Sequence, residues 1–241
     1  MKLFQPKKKV AVLDFDGTLS NKYISMEFIE FLHKHNIFLY NQGVYENQKR
    51  ALNDFLNGKI TYEEWVKHWA CLWVEGIRFN LKRTMNQMAL QFFSEFKKNI
   101  YPSSYELVKV LKSRGYYVVL LSVGAYEVVS LAGQELKVDE IIATRCQIEK
   151  KHPGKKIYTG KLLTDLHLPG GKKGAVKKIF KKKEFSKKES LAAGDSESDS
   201  EILEMVKIPI ALNPRPKLKT LAEKKRWRIA NHKSILLMIK N

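Results

Sequence analysis

Apolar and polar positions change their period twice along this chain. Val10-Ala11-Val12-Leu13 followed by Phe15 is a short, unbroken apolar run stopped by Gly17. That is the pattern of a strand buried on both faces of a parallel sheet. From Ile24 to Phe96 the period is helical. Ile24, Phe28, Phe31 and Leu32 share one helix face, Tyr45 to Leu56 forms a second amphipathic stretch, and Asn57-Gly58 breaks it. Thr61, with Glu64 three residues on, has the form of a capping box opening a third helix, and Leu81 to Phe96 reads as a fourth.

After Pro102 strands and helices alternate. Helices are expected at Tyr105–Arg114 (closed by Gly115), Ala125–Leu136, Lys173–Lys183 and Asp199–Val206, and strands at Tyr117–Leu121, Ile141–Cys146, Ser190–Ala193 and Ile208–Leu212. His152-Pro153-Gly154 sits between two strand-like segments and predicts a hairpin. Alternation of this kind predicts an α/β fold with a doubly wound parallel sheet. Residues 21–96 then form a helical cap domain inserted between 1–20 and 97–241, which together make the core.

In such sheets the ligand lies at the carboxyl ends of the strands, and four polar features fall there or at a helix start. Asp14 and Asp16 follow the first strand, one residue apart. Ser122-Val123-Gly124 follows the strand Tyr117–Leu121. Lys173 begins a helix, and Gly194-Asp195-Ser196-Glu197-Ser198-Asp199 follows Ser190–Ala193. These types suit phosphoryl chemistry. A phosphate dianion repels an attacking carboxylate, so cations and hydrogen-bond donors must surround it. Mg²⁺ takes oxygen ligands, here the carboxylates of Asp14 and Asp195 and the carbonyl of Asp16. Lys173, Ser122 and nearby backbone N–H groups supply positive charge and donors to the phosphoryl oxygens. One aspartate can serve as nucleophile and its neighbour as acid and base.

Charge sharpens this picture. The 241 residues carry a formal net charge of +19, which favours anionic partners: phosphorylated small molecules, nucleic acid or an anionic membrane surface. Two distant cysteines, Cys71 and Cys146, argue against a disulfide framework or a cysteine zinc site. Lys7-Lys8-Lys9 precedes the first apolar run, but Asp14 ends that run too early for a signal peptide. No apolar stretch is long enough to span a bilayer. The expectation is a soluble cytoplasmic protein.

The order of Asp14-Phe15-Asp16-Gly17-Thr18-Leu19, Ser122, Lys173 and Gly194-Asp195-Ser196-Glu197-Ser198-Asp199 resembles the haloacid dehalogenase superfamily, in its phosphoserine-phosphatase-like branch. Tyr158-Thr159-Gly160 leading into Gly171-Lys172-Lys173 resembles it too, as does Ala211-Leu212-Asn213-Pro214-Arg215-Pro216-Lys217-Leu218. The resemblance implies a Rossmann-like core with an inserted helical cap, and a Mg²⁺-dependent phosphatase of small phosphate monoesters. It implies Asp14 as nucleophile and metal ligand, and Asp16 as general acid and base with its carbonyl on the metal. Asp195 would be a metal ligand, and Asp199 would orient a metal-bound water or the lysine. Ser122, Val123, Gly124, Lys173 and Ser198 would hold the phosphoryl group. Lys173 is selected over Lys172 because Gly174-Ala175-Val176 matches how the family's helix begins.

Two positions depart from the family's pattern. Tyr23 stands where its phosphoserine phosphatases carry a cap glutamate, which argues against a free amino acid as substrate. Ser198 stands where asparagine is frequent. A phosphotransferase results if an alcohol replaces water in the second step. The rival from another class is a nucleic-acid or anionic-surface binding protein with an inactive phosphatase-like core.

Bland explanations compete for several of these features. Asp and Gly are common in turns for conformational reasons, and Asp195 and Asp199 suit a helix N-terminus. Trp65, Trp69 and Trp73, four residues apart, read as a packing face. Lysines 177, 178, 181, 182, 183, 187 and 188 read as a solvated surface, with Val176, Ile179 and Phe180 turned inward.

Overall fold

The computed structural model describes residues 9–37, 43–152, 154–183 and 185–240. Lys7, Lys8 and Pro153 lie outside the described residues. Strand β1 (Lys9–Leu13) leads into four helices: α1 (Ile24–Lys34), α2 (Gly43–Leu56), α3 (Tyr62–Gly76) and α4 (Lys82–Phe96). Then follow α5 (Pro102–Ser113), β2 (Tyr116–Ala125), α6 (Tyr126–Glu135), β3 (Glu140–Thr144), the hairpin β4 (Cys146–His152) and β5 (Lys155–Leu162), and α7 (Gly171–Lys183). The chain closes with β6 (Leu191–Gly194), α8 (Ser200–Leu203), β7 (Ile208–Leu212), α9 (Pro216–Lys225), β8 (Arg228–Ala230) and α10 (Ile235–Lys240).

Six strands form one sheet in the order β3-β2-β1-β6-β7-β8, with every pairing parallel. The period of two along each strand divides its side chains between two layers. Ala11, Leu13, Val118, Leu120, Ala193 and Leu212 join the core under α1, α4, α5 and α6. Val10, Val12, Val119, Leu121, Ala192 and Ala211 pack under α7, α8 and α9. Both faces are covered, so the strands read as continuous apolar runs and the sheet is doubly wound.

The larger cluster runs from the sheet into the helical segment, where it takes in Phe28, Trp69, Trp73, Met85 and Phe92. Trp65, Trp69 and Trp73 are all buried, as a packing stripe requires. The Thr61–Glu64 capping box forms in both directions at the start of α3. Buried Gln48 donates to the Trp69 carbonyl at 2.9 Å, tying α2 to α3. On α7, Val176, Ile179 and Phe180 are buried while Lys177, Lys178 and Lys181 are exposed.

Three boundaries differ from the sequence expectation in ways that matter. The second strand does not stop at Leu121. It continues to Ala125, and its register with β3 shifts between Leu121 and Ala125. An irregularity of this kind turns side chains out of the pleat, so Ser122 reaches the site from within a strand. Helix α7 starts at Gly171, not Lys173. A Cβ on Gly171 would lie 2.1 Å from the Asp165 carbonyl oxygen, so only glycine fits at that start. Finally, the helix expected over Asp199–Val206 is a 3₁₀ turn at Glu197–Asp199 followed by the single turn α8.

Candidate active site

The Asp14 N–H donates to the Ala193 carbonyl at 3.0 Å, so the adjacent strands β1 and β6 end level with each other. Asp14 and Asp195 therefore emerge side by side. The Thr18 hydroxyl lies 3.1 Å from both Asp14 Oδ2 and Asp195 Oδ1. The turn that allows this pivots on Gly17, which has φ +84°. A Cβ there would lie 2.4 Å from Asp195 Oδ2.

Lys172 points into this cluster. Its ammonium lies 2.7 Å from Asp14 Oδ1 and 2.7 Å from Asp199 Oδ1, and the side chain is 5% exposed. Neighbouring Lys173 is half-exposed, and the structure gives it no such contact. The expectation that Lys173 carries the site's cation is corrected here. One residue is about 100° of helix rotation, and the start at Gly171 turns Lys172 inward. Asp199 is fully buried; its second oxygen accepts from the Ser196 N–H and hydroxyl, each at 3.1 Å. It anchors Lys172.

Asp16 occupies a different environment. Its Oδ1 accepts the Ile24 N–H at 2.7 Å, and its Oδ2 accepts the Ser122 hydroxyl at 3.3 Å. Ser122 also accepts the Gly124 N–H at 2.9 Å. Val123 and Gly124 line the same cavity as Asp14 and Asp16. Ser198 does not. Among the described residues it sits in a neighbouring groove with His167 and Glu201, its hydroxyl 2.8 Å from that of Ser196.

Electrostatically the cavity is starved of cations. Burial, with the charge of Asp199, pushes Asp14 up to about 7. Burial pushes Asp16 up to about 7 against the Ile24 hydrogen bond. Burial and Asp199 push Asp195 up to about 6 against the pull of Arg215. Burial disfavours the charge on Lys172 too, but Asp14 and Asp199 outweigh it and hold the ammonium well above its ordinary value. Asp14, Asp195 and Asp199 offer oxygens within 4.8 Å of one another. A buried, all-oxygen donor set with excess negative charge fits Mg²⁺.

Sequence reasoning misses three further groups. Thr18 lies inside the aspartate motif and gives no separate signal. Arg215, fixed between Pro214 and Pro216, donates its backbone N–H to the Asp195 carbonyl at 2.8 Å and its Nε–H to Asp195 Oδ2 at 3.1 Å. It also hydrogen-bonds the Tyr23 hydroxyl. Tyr62, on the first turn of α3, lines the cavity.

A family model described as haloacid dehalogenase-like hydrolase matches residues 11–204. The phosphoserine phosphatase of Methanocaldococcus jannaschii is 25% identical over 221 residues, covering 91% of this chain and 92% of that protein. The phosphoserine phosphatase of Lactococcus lactis subsp. lactis is 23% identical, covering 88% of this chain and 87% of its own length. Among solved structures, a protein of unknown function from Bordetella pertussis Tohama I superposes with TM-score 0.78 at 19% identity, over 94% of this chain and 99% of that one. A phospho-aspartyl intermediate analogue of phosphoserine phosphatase superposes with TM-score 0.63 at 24% identity, over 94% of each chain. These two likenesses show the fold.

Proposed function

The chain belongs to the haloacid dehalogenase-like hydrolase family and is a phosphatase of its phosphoserine-phosphatase-like branch; from that premise we propose that it hydrolyses a small phosphate monoester with Mg²⁺, through an aspartyl-phosphate on Asp14. One observation carries the assignment of roles. Asp14 and Asp16 line one cavity, but Asp14 faces Lys172 and Thr18 while Asp16 is held by a main-chain N–H and a serine hydroxyl.

Asp14, Asp195 and the Asp16 carbonyl would hold Mg²⁺, which supplies charge neutralisation to the carboxylates and the phosphate. The rest is the work of the chain. Lys172 neutralises the phosphoryl oxygens and keeps Asp14 aimed, while Asp199 keeps Lys172 in place. A carboxylate oxygen of Asp14 attacks phosphorus in line, and the bond to the leaving alcohol breaks. Asp16, held near neutrality by burial, gives its proton to that alcohol oxygen. Asp16 then takes a proton from water, whose oxygen attacks the aspartyl-phosphate. Phosphate leaves and the Asp14 carboxylate is restored. Ser122 lies on Asp16 in the present arrangement and would turn to the phosphoryl group on binding. Helices α1–α4 would act as a cap that shuts water out during the attack.

The experiment is a screen of phosphorylated metabolites for phosphate release with Mg²⁺, using Asp14→Asn as the blank. Release that a chelator and Asp14→Asn both abolish supports the reading. No turnover of any phosphate ester, together with steeply salt-dependent nucleic-acid binding, points to the rival instead.

A further inference from the structure

The cavity's wall beyond the reaction centre has a chemical bias. Its carboxylates are Asp14, Asp16 and Asp195, all committed to the chemistry proposed above; its further lining includes Tyr23, Met26, Trp65 and Trp69. None of these is a carboxylate that could form an ion pair with an ammonium group, and the cavity's second cation besides Lys172 is Arg215.

The place of Arg215 is specific. Ile24 supplies the N–H that holds Asp16, the group assigned to the leaving oxygen. The residue before it, Tyr23, holds Arg215 through its phenol. Arg215 is thus tied through Tyr23 to the segment that holds Asp16, and it lines the same cavity as Asp16. The Tyr23 ring is itself fixed edge-on against Trp65, with centroids 5.4 Å apart. A guanidinium has five N–H donors. One bonds Asp195 and one bonds Tyr23; among the described residues the others meet no protein acceptor. A planar fork already oriented by two partners is prepared to take a carboxylate or phosphate.

We infer that Arg215 reads the leaving group: the site takes a phosphate monoester whose alcohol portion carries a second anion, and discriminates against one carrying an ammonium. This rests on the phosphatase reading of the cavity. It makes Arg215 a specificity residue. The named relatives are phosphoserine phosphatases, and phosphoserine carries both a carboxylate and an ammonium; this chain would take the second anion and prefer a substrate without the ammonium.

The test is calorimetric binding, with Mg²⁺, of four non-hydrolysable probes: a butylphosphonate, and the same chain ending in a carboxylate, a second phosphonate or an ammonium. For the wild type the Kd of at least one anionic probe should be about tenfold or more below that of the neutral probe, the worth of one charge-assisted hydrogen bond. The ammonium probe should bind weakest. Whichever anionic probe binds tighter identifies the second anion. Arg215→Met should erase the order, and Arg215→Lys should keep its direction at reduced size. Should Arg215→Met fail to fold, as judged by its thermal melt, Arg215→Lys still reports through a weaker anion preference. The same order in Arg215→Met as in the wild type, preferential binding of the ammonium probe, or no binding of any probe overturns the inference. Binding is read without turnover, so failure to hydrolyse phosphate esters sinks the proposed reaction separately.

Discussion

The ammonium of Lys172 lies 2.7 Å from a carboxylate oxygen of Asp14, and both side chains are almost wholly buried. Paired charges at such depth are uneven in their consequences: removing one leaves the other desolvated and alone. Lys172→Met should therefore lower kcat/KM by a factor of about 10²–10³, the usual loss for one transition-state donor. Lys173→Met should change it by less than about threefold, because exposed side chains away from the chemistry contribute little. Parallel steady-state kinetics on the two variants decide which lysine serves the site.

Gly17 gives a second expectation. Its φ of +84° and the 2.4 Å approach of a Cβ to Asp195 leave no room for alanine. Gly17→Ala should cost about 1–2 kcal/mol from backbone conformation alone, with a further loss as Asp195 is displaced. Denaturant unfolding should show the stability loss. Mg²⁺ titration of activity should show a weaker apparent affinity, since the displaced group is a proposed ligand.

The metal-free protein should have an inverted pH profile of stability. Asp14 and Asp16 rise to about 7 and Asp195 to about 6 in the folded protein, from an ordinary value of 3.8. Between roughly pH 4 and 7 the folded state thus binds more protons at these groups than the unfolded one, and stability falls as pH rises. Thermal melts in chelator should show Tm lower at pH 8 than at pH 5.5. Mg²⁺ should raise Tm most at the higher pH, where the carboxylates it neutralises are ionised.

The Thr61 capping box tests how the helical segment serves the cavity. Thr61→Ala removes the side-chain acceptor for the Glu64 N–H and should cost about 1 kcal/mol. The first turn of α3 carries Tyr62 and Trp65, which both line the cavity. Fraying there should raise KM more than it lowers kcat, read from kinetics well below the variant's Tm.

Legibility in the sequence follows how local each cause is. The Thr61–Glu64 box and the strand ending just before Asp14 are set by residues within a few positions, and both read directly from the chain. The unbroken apolar runs of β1 and β6 suffice for a parallel sheet covered on both sides, because neither layer leaves a polar stripe. Lys172 is a different case. Two adjacent lysines are equivalent in composition, and the choice between them depends on where α7 begins. That start sits against the Asp165 carbonyl, where the folded loop leading into α7 leaves no room for a Cβ on Gly171. The apolar run predicts a strand ending at Leu121 with Ser122 just after it, whereas pairing with β3 carries the strand on to Ala125. Arg215 could be read as part of the Asn213–Leu218 stretch, but its partners Asp195 and Tyr23 lie 20 and 192 residues away. No local pattern carries that information.

The central claim is the covalent step on Asp14. Rapid acid quench of the Mg²⁺-loaded protein with a hydrolysed substrate, followed by peptide mass mapping, tests it most directly. The account predicts one phosphoryl group on the peptide containing Asp14, absent in chelator, with both the label and turnover lost in Asp14→Asn. A phosphoryl group on another residue, or turnover by Asp14→Asn at the wild-type rate, would contradict it.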